Sequence, residues 1–174
     1  MSAWIPYGAA WSSPFCKWQG SFAHLHAFEL AARVTRQALE RRQIDPSALE
    51  SGILGTTVPQ RGAFYGLPWL AGRIGAPHLA GPTIAQACAT GARVVVAAAD
   101  EIQRGATAVL CVTADRVSTG PHIYYPAPSA AGGTGESENW VLDNFARDPL
   151  AGVAMVTTAE NVARRYGIDR AMQD

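Results

Sequence analysis

The chain has 174 residues, of which 48% are hydrophobic and 16% are charged, and this length suits one domain with a sizeable core. Its 14 basic and 14 acidic residues give a formal net charge of zero, so no strong field draws it to nucleic acid or to an anionic membrane. Three irregularly spaced cysteines argue against a disulfide framework and a zinc ribbon. The first residues lack a basic start followed by an apolar core, so we expect that they are not a signal peptide, and no apolar run is long enough to span a bilayer. We therefore expect a cytoplasmic protein with no metal site, no nucleic-acid partner and no membrane partner.

The first part of the chain combines an irregular segment with a helix. Residues 1–23 are rich in aromatic and turn-forming side chains. An apolar stripe at helical spacing, opposite a charged face, predicts a helix over residues 27–42. Asp45 followed by Pro46 is typical of a helix start, with an N-cap and a proline at the first position, and predicts a short turn that ends at Glu50.

Strands and helices alternate in the middle of the chain. Short β-branched runs predict strands over residues 53–58, 83–87 and 108–113. A glycine-punctuated helix is predicted over 62–74, and an alanine- and valine-rich helix over 89–103. This alternation predicts an α/β fold with right-handed crossover connections.

The helix predicted over residues 89–103 has almost no polar stripe, because residues 94–99 are all valine or alanine. A helix that is apolar all round is expected to be buried on all sides. Gly105 is the expected residue just beyond its C-terminus, and Arg104 complements the helix dipole there.

The last part of the chain is expected to begin as a long loop. Eight prolines and glycines interrupt any periodicity over residues 118–150, and long loops inside compact domains are usually functional or mediate assembly. Thr157 followed by Glu160 resembles a capping box that opens a helix, which Gly167 ends. Another helix then begins where the sequence stops, so we expect the chain to be part of a longer protein.

Cys88 is the candidate nucleophile. It lies between a predicted strand and the first turn of a predicted helix, where unpaired N–H groups and the helix dipole favour a thiolate. A thiolate in that position suits covalent catalysis. The alternative is a small buried core residue, which free cysteines often are. Cys111 is predicted to be core because it lies mid-strand, and Cys16 lies in a loop with no group that would promote its ionisation.

Three segments resemble the N-terminal half of the thiolases and occur in that family's order. Residues 13–25 resemble the opening loop, residues 86–91 the nucleophile motif, and residues 157–167 a helix near the start of the loop domain. The resemblance implies a layered α/β fold with a mixed sheet and a buried central helix. It also implies a core that carries the nucleophile, at residues 1–117, and the start of a loop domain, truncated here, at residues 118–174.

The resemblance also implies a chemistry. Cys88 would take an acyl group from an acyl-CoA as a thioester, and its backbone N–H would be one donor to the oxyanion. The thioester would then react in a Claisen condensation, or the reverse reaction would cleave a 3-ketoacyl-CoA. Met155 would contact substrate. Coenzyme A and acyl-CoA would be substrates, with no covalently bound cofactor, and the protein would be a homodimer or homotetramer.

The sequence departs from the family pattern at two places within this chain. Thr113 to Ser118 replace a glycine-rich segment, and Ala154 stands where many members have a histidine. These departures suggest a divergent member that uses a different acyl group.

The family's histidine base, second cysteine and Asn-Glu-Ala-Phe segment belong to its C-terminal half and have no counterpart here. The chain's own histidines are His24, His26, His78 and His122, and each is expected to be a loop residue and not the base. We therefore expect an incomplete catalyst that needs a C-terminal half, from the same chain or from a second polypeptide. Two alternatives are a ketosynthase-like condensing enzyme and a non-catalytic half-thiolase partner subunit.

Overall fold

A computed structural model describes residues 2–118 and 120–174 of the chain. It divides into two compact units, Met1–Thr119 and Gly120–Asp174. The roles expected for residues 1–117 and 118–174, as core and loop domain, stay predictions.

The first unit contains a parallel sheet with helices between its strands. Its elements are α1 (Ala27–Arg41), β1 (Ser51–Gly55), α2 (Leu67–Arg73), β2 (Thr83–Ile84), α3 (Thr90–Gln103) and β3 (Val109–Thr113). The strand order is β2-β1-β3, and β1 runs parallel to both neighbours. All three strands therefore end at one side of the sheet, which we call the carboxyl edge.

Helices cover both faces of this sheet. On β1, Leu54 packs with α1 and α2 in the larger core cluster, whereas its neighbour Ile53 packs against Val94 and Ala98 of α3. Successive strand residues point to opposite faces, so this alternation produces three layers. The larger cluster includes Phe28, Leu39, Leu67, Leu70, Ile74, Leu79, Leu110 and Val112.

Gly55, the last residue of β1, lets α3 approach the sheet closely. A Cβ atom at this position would lie 2.8 Å from Cγ2 of both Thr90 and Val94 and 3.0 Å from Cγ2 of Thr113. These distances are shorter than carbon atoms tolerate, so any side chain at residue 55 would push the start of α3 away from the sheet.

The structure differs from the predicted burial of α3. Only Thr90, Val94 and Ala98 of this helix are buried, a row at i, i+4 and i+8 that faces the sheet. Val95 and Val96 are 45% and 49% exposed, because within this chain the sheet covers one face only. The sheet also differs from the expected mixed sheet, since its described strands are all parallel.

The second unit contains an antiparallel pair of strands and three helices among its described residues. They are β4 (His122–Tyr125), β5 (Glu136–Asn139), α4 (Leu142–Ala146), α5 (Met155–Tyr166) and α6 (Arg170–Gln173). The prediction of a structureless loop over residues 118–150 is therefore wrong. The β-branched and aromatic side chains of β4 pair with β5 despite the surrounding prolines and glycines.

The ends of several elements were predicted with mixed success. Helix α1 and strand β3 match their predictions within two residues, and Asp45 accepts a hydrogen bond from the Ser47 N–H as an N-cap (2.8 Å). Gly167 ends α5 with φ +63°, as predicted. The predicted capping box at Thr157 is wrong, because the N-cap of α5 is Ala154, three residues earlier.

Helix α2 and the two remaining strands are shorter than predicted. Helix α2 begins at Leu67 and not at residue 62, and β1 and β2 end at Gly55 and Ile84. Within residues 2–118 and 120–174, no helix is long and apolar enough to cross a membrane.

We predict that Gly55→Ala lowers the free energy of unfolding by about 1–3 kcal/mol, because the added methyl group overpacks the contact between β1 and α3. Urea denaturation measures the change. Gly72→Ala is the matched control, since a Cβ there meets nothing within 4 Å. A Gly55→Ala protein as stable as the Gly72→Ala protein would show that the close approach is not a constraint.

Candidate active site

Cys88 lies at the carboxyl edge, in the turn that joins β2 to α3. We call residues 85–90 the nucleophile turn. Strand β2 ends at Ile84, a 3-10 turn covers Ala87–Ala89, and α3 begins at Thr90. The Cys88 side chain is exposed. The structure thus places the thiol at the start of a helix, as the sequence predicted, and not in the core.

The backbone of the nucleophile turn is strained at Ala87. This residue has φ +44°, in the left-handed region that costs a residue with a Cβ atom about 1–2 kcal/mol. Such a conformation persists only where the surrounding structure holds it. It turns the chain sharply between β2 and α3 and leaves the next residue, Cys88, on the outside of the turn.

The Thr90 hydroxyl bridges the nucleophile turn. It accepts a hydrogen bond from the Gln86 N–H (2.8 Å) and donates one to the Ala87 carbonyl (2.7 Å). Thr90 is 6% exposed, and its Cγ2 methyl lies over Gly55. One buried side chain therefore ties the strained turn to the end of β1.

Asp115 joins the ends of β1 and β3 at the same edge. Its carboxylate accepts hydrogen bonds from the N–H groups of Thr57 (2.8 Å) and Val58 (2.9 Å). The hydroxyls of Thr56 and Thr57 donate two more, at 2.9 and 2.6 Å. Residues 113–118 thus contain a structural anchor.

The opening loop, residues 13–25, is held against the segment that follows β3. Nη1 of Arg116 donates to the carbonyl of Leu25 (2.5 Å) and to that of Ala23 (3.2 Å). The Gln19 N–H and side-chain amide donate to Ser118 Oγ (3.0 Å) and to the Ser118 carbonyl (2.5 Å). These bonds fix the opening loop at the carboxyl edge.

Three of the four histidines make hydrogen bonds whose partners are not residues of the nucleophile turn. His26 is the N-cap of α1: its Nδ1 accepts from the Phe28 N–H (3.1 Å), so its Nε2 donates to the Arg61 carbonyl (2.9 Å). His78 bonds the Leu49 carbonyl (2.9 Å), and His122 lies beside the Asn139 amide. The capping role of His26 was not predicted, although its position directly before the helix indicates it.

The other candidate residues lie on other elements of the chain. Cys16 is exposed in the opening loop. Cys111, on the outer strand β3, is exposed as a residue, so its predicted core position is wrong, but its thiol is partly buried beside the Val94 carbonyl (4.0 Å). Met155 is the first residue of α5, in the second unit, and its contact with substrate stays a prediction. Among the described residues, no three His, Cys, Asp or Glu side chains converge as metal ligands.

Comparison with known proteins identifies relatives along nearly the whole chain. The family described as "Thiolase, N-terminal domain" matches residues 9–174. The acetyl-CoA acetyltransferase of Paracoccus denitrificans is 34% identical over 171 residues, which is 93% of this chain and 42% of that protein. The acetyl-CoA acetyltransferase of Escherichia coli is 32% identical, over 89% of this chain and 40% of its own length. The chain thus spans about two fifths of the length of these relatives.

Solved structures share the fold. An acetyl-CoA acetyltransferase from Syntrophomonas wolfei superimposes with a TM-score of 0.76 at 29% identity, over 91% of this chain and 41% of that one. Human mitochondrial 3-ketoacyl-CoA thiolase, solved in complex with CoA, superimposes with a TM-score of 0.78 at 24% identity, over 92% of this chain and 42% of that one. These matches confirm the predicted thiolase-like α/β fold.

We predict that Asp115→Ala lowers the free energy of unfolding by about 1–2 kcal/mol, because the threonine and valine donors lose a charged acceptor. Asp115→Asn, which keeps one acceptor oxygen, is expected to lose less. Asp100→Ala, an exposed change on α3, is the control for removal of one negative charge. Equal stability of the Asp115→Ala and Asp100→Ala proteins in urea denaturation would contradict the anchoring role.

We predict that Cys88, which precedes α3 in the chain, and Cys111, which follows it, differ in reactivity toward alkylating reagents. Burial raises the pKa of the Cys111 thiol, so less thiolate forms there near neutral pH. At about pH 7.5, iodoacetamide is expected to modify Cys88 before Cys111, and the Cys111 rate is expected to rise steeply at alkaline pH. Peptide mapping after timed alkylation measures both rates. The prediction fails if Cys111 reacts first in the folded chain.

Proposed function

Because the chain belongs to the thiolase family, we propose that it is the nucleophile-bearing part of an acyl-CoA acyltransferase in which Cys88 becomes acylated. The observation that carries the proposal is the exposed thiol of Cys88 on a strained turn at the start of α3. The names of the relatives, acetyl-CoA acetyltransferases, supply the substrate class.

The first half-reaction needs an accessible thiolate. The Cys88 sulfur attacks the carbonyl carbon of the acyl-CoA and forms a new C–S bond and a tetrahedral oxyanion. The oxyanion then collapses, the bond from carbon to the CoA sulfur breaks, and CoA leaves as its thiolate, which takes up a proton. The acyl group remains on Cys88 as a thioester. In the second half-reaction, a carbanion attacks this thioester carbon and Cys88 leaves.

The start of α3 supports both the thiolate and the oxyanion. Fourteen residues of aligned peptide dipoles place partial positive charge at the first turn. The Cys88 N–H belongs to the 3-10 turn directly before that first turn, and a fixed backbone donor stabilises developing negative charge without reorganisation. The donor and the nucleophile then belong to one residue, so their relative position depends on the nucleophile turn alone.

We further propose that a C-terminal half completes the site, from the same chain or from a second polypeptide, and that the assembled protein is a homo-oligomer. Two observations support this. In the first unit, His26 and His78 are held by hydrogen bonds to the Arg61 and Leu49 carbonyls, so we propose that the base that forms the carbanion of the second half-reaction comes from another part of the protein. The half-exposed Val95 and Val96 give α3 an outer apolar face that such a half would cover.

The acyl group is proposed to differ from that of a standard acetoacetyl-CoA thiolase. The segment from Thr113 to Ser118 departs from the family pattern and is fixed by Asp115 and Arg116. Its shape at the carboxyl edge is therefore a stable feature that selects the acyl chain. Met155 is proposed as a second substrate contact.

The test is intact-mass spectrometry of the chain after exposure to acetyl-CoA, butyryl-CoA and octanoyl-CoA in separate samples. We predict a gain of one acyl group, mapped to Cys88 by peptide analysis and accompanied by release of one equivalent of CoA. Cys88→Ala is expected to abolish the gain. Cys16→Ala and Cys111→Ala are the matched controls and are expected to retain it.

The other outcomes identify the alternatives. Acylation of Cys88 by an acyl carrier protein thioester, and not by any acyl-CoA, would replace the proposal with a ketosynthase-like condensing enzyme. A chain that stays unmodified by both donors, while Cys88→Ala leaves a partner's turnover intact, would identify a non-catalytic subunit.

A further inference from the structure

The Thr90 hydroxyl bonds to the peptide group that carries the Cys88 N–H. The Ala87 carbonyl, which accepts from the Thr90 hydroxyl (2.7 Å), belongs to the same peptide group as the Cys88 N–H. A trans peptide group is planar, and its N–H points away from its carbonyl. Whatever fixes the direction of the Ala87 carbonyl therefore fixes the direction of the Cys88 N–H.

We infer that Thr90 is a positioning residue that aims the Cys88 backbone N–H at the acyl oxygen. This inference rests on the proposed function, in which that N–H is the oxyanion donor. Thr90 touches no reacting atom. It acts through the peptide group between Ala87 and Cys88, and a hydrogen bond to the carbonyl of that group also polarises it and makes the N–H a stronger donor.

The structure gives Thr90 the rigidity that this role needs. Its hydroxyl makes two hydrogen bonds: it accepts one from the Gln86 N–H (2.8 Å) and donates one to the Ala87 carbonyl (2.7 Å). The side chain is 6% exposed, and its methyl lies over Gly55, where a Cβ would be only 2.8 Å away. Little room remains for another rotamer.

The strain at Ala87 explains why a second residue is required. With φ +44°, this residue sits in a conformation that a Cβ atom disfavours. Without the Thr90 hydroxyl, the Ala87 carbonyl keeps its hydrogen bond from the Thr90 backbone N–H but loses the second one. Rotation about the N–Cα bond of Ala87 toward negative φ then relieves the strain and turns the Cys88 N–H away from the acyl oxygen.

The inference is tested by two reactions of the Cys88 thiol that differ in one respect. Acetylation by p-nitrophenyl acetate passes through an oxyanion, whereas alkylation by iodoacetamide displaces iodide and develops none. Both reagents are small and need no CoA site. A background with Cys16→Ser and Cys111→Ser leaves Cys88 as the remaining thiol of the chain's three cysteines.

In that background, Thr90→Val removes the hydroxyl and keeps the shape of the side chain. We expect it to slow acetylation about tenfold and to change alkylation by less than about twofold, since that reaction uses no oxyanion donor. Thr90→Ser keeps the hydroxyl and is expected to restore acetylation to within about twofold of the Thr90 protein. Equal slowing of both reactions, or of neither, would overturn the inference.

A second variant covers the case in which Thr90→Val does not fold. Ala87→Gly relieves the strain at positive φ, so Ala87→Gly with Thr90→Val is compared with Ala87→Gly alone, and the same selective loss of acetylation is expected. Acetyl-CoA is tested on the same samples. If acetyl-CoA does not acylate Cys88, but Thr90→Val still selectively slows acetylation by p-nitrophenyl acetate, the result contradicts the proposed function. The positioning role of Thr90 is then still supported.

Discussion

The geometry of this site depends on the close approach of helix α3 to strand β1 at Gly55. With no side chain at residue 55, Thr90 and Val94 can lie directly over the end of the strand. That approach brings the Thr90 hydroxyl within reach of the Gln86 N–H and the Ala87 carbonyl. The bridge in turn holds the left-handed backbone of Ala87, which leaves Cys88 exposed at the start of the helix. The absence of a side chain at Gly55 thus determines where the Cys88 thiol lies on the neighbouring turn.

The carboxyl edge is otherwise rigid through hydrogen bonds that cross between loops. Asp115 ties the chain after β1 to the chain after β3, and Arg116 ties the opening loop to the same place. Parallel strands end together at one edge, so loops distant in sequence meet there. The segment at residues 113–118 begins at the end of β3 and is part of that edge.

Local patterns in the sequence predicted most of the first unit and the place of the candidate nucleophile. The apolar stripe of α1, the Asp45 cap and Gly167 act through neighbouring residues, so the sequence alone shows them. The remainder depends on contacts distant in sequence. The Thr90 bridge requires the strain at Ala87, and the exposure of Val95 depends on what covers α3. The pairing of β4 with β5 was not predicted because the prolines and glycines around the two strands are typical of a loop. The prediction of an N-cap at Thr157 was wrong because nothing in the local pattern distinguishes that position from the helix start after Ala154.

The central claim is that the nucleophile turn presents both the thiol of Cys88 and the N–H that receives the acyl oxygen. The most direct measurement is the NMR signal of the Cys88 amide in ¹⁵N-labelled protein before and after acylation with acetyl-CoA that carries ¹³C at its carbonyl. The account predicts a thioester carbon signal and a downfield shift of the Cys88 amide proton, as expected for a donor that gains a hydrogen bond to the acyl oxygen. A thioester on another cysteine, or a Cys88 thioester that leaves this amide unshifted, would contradict it.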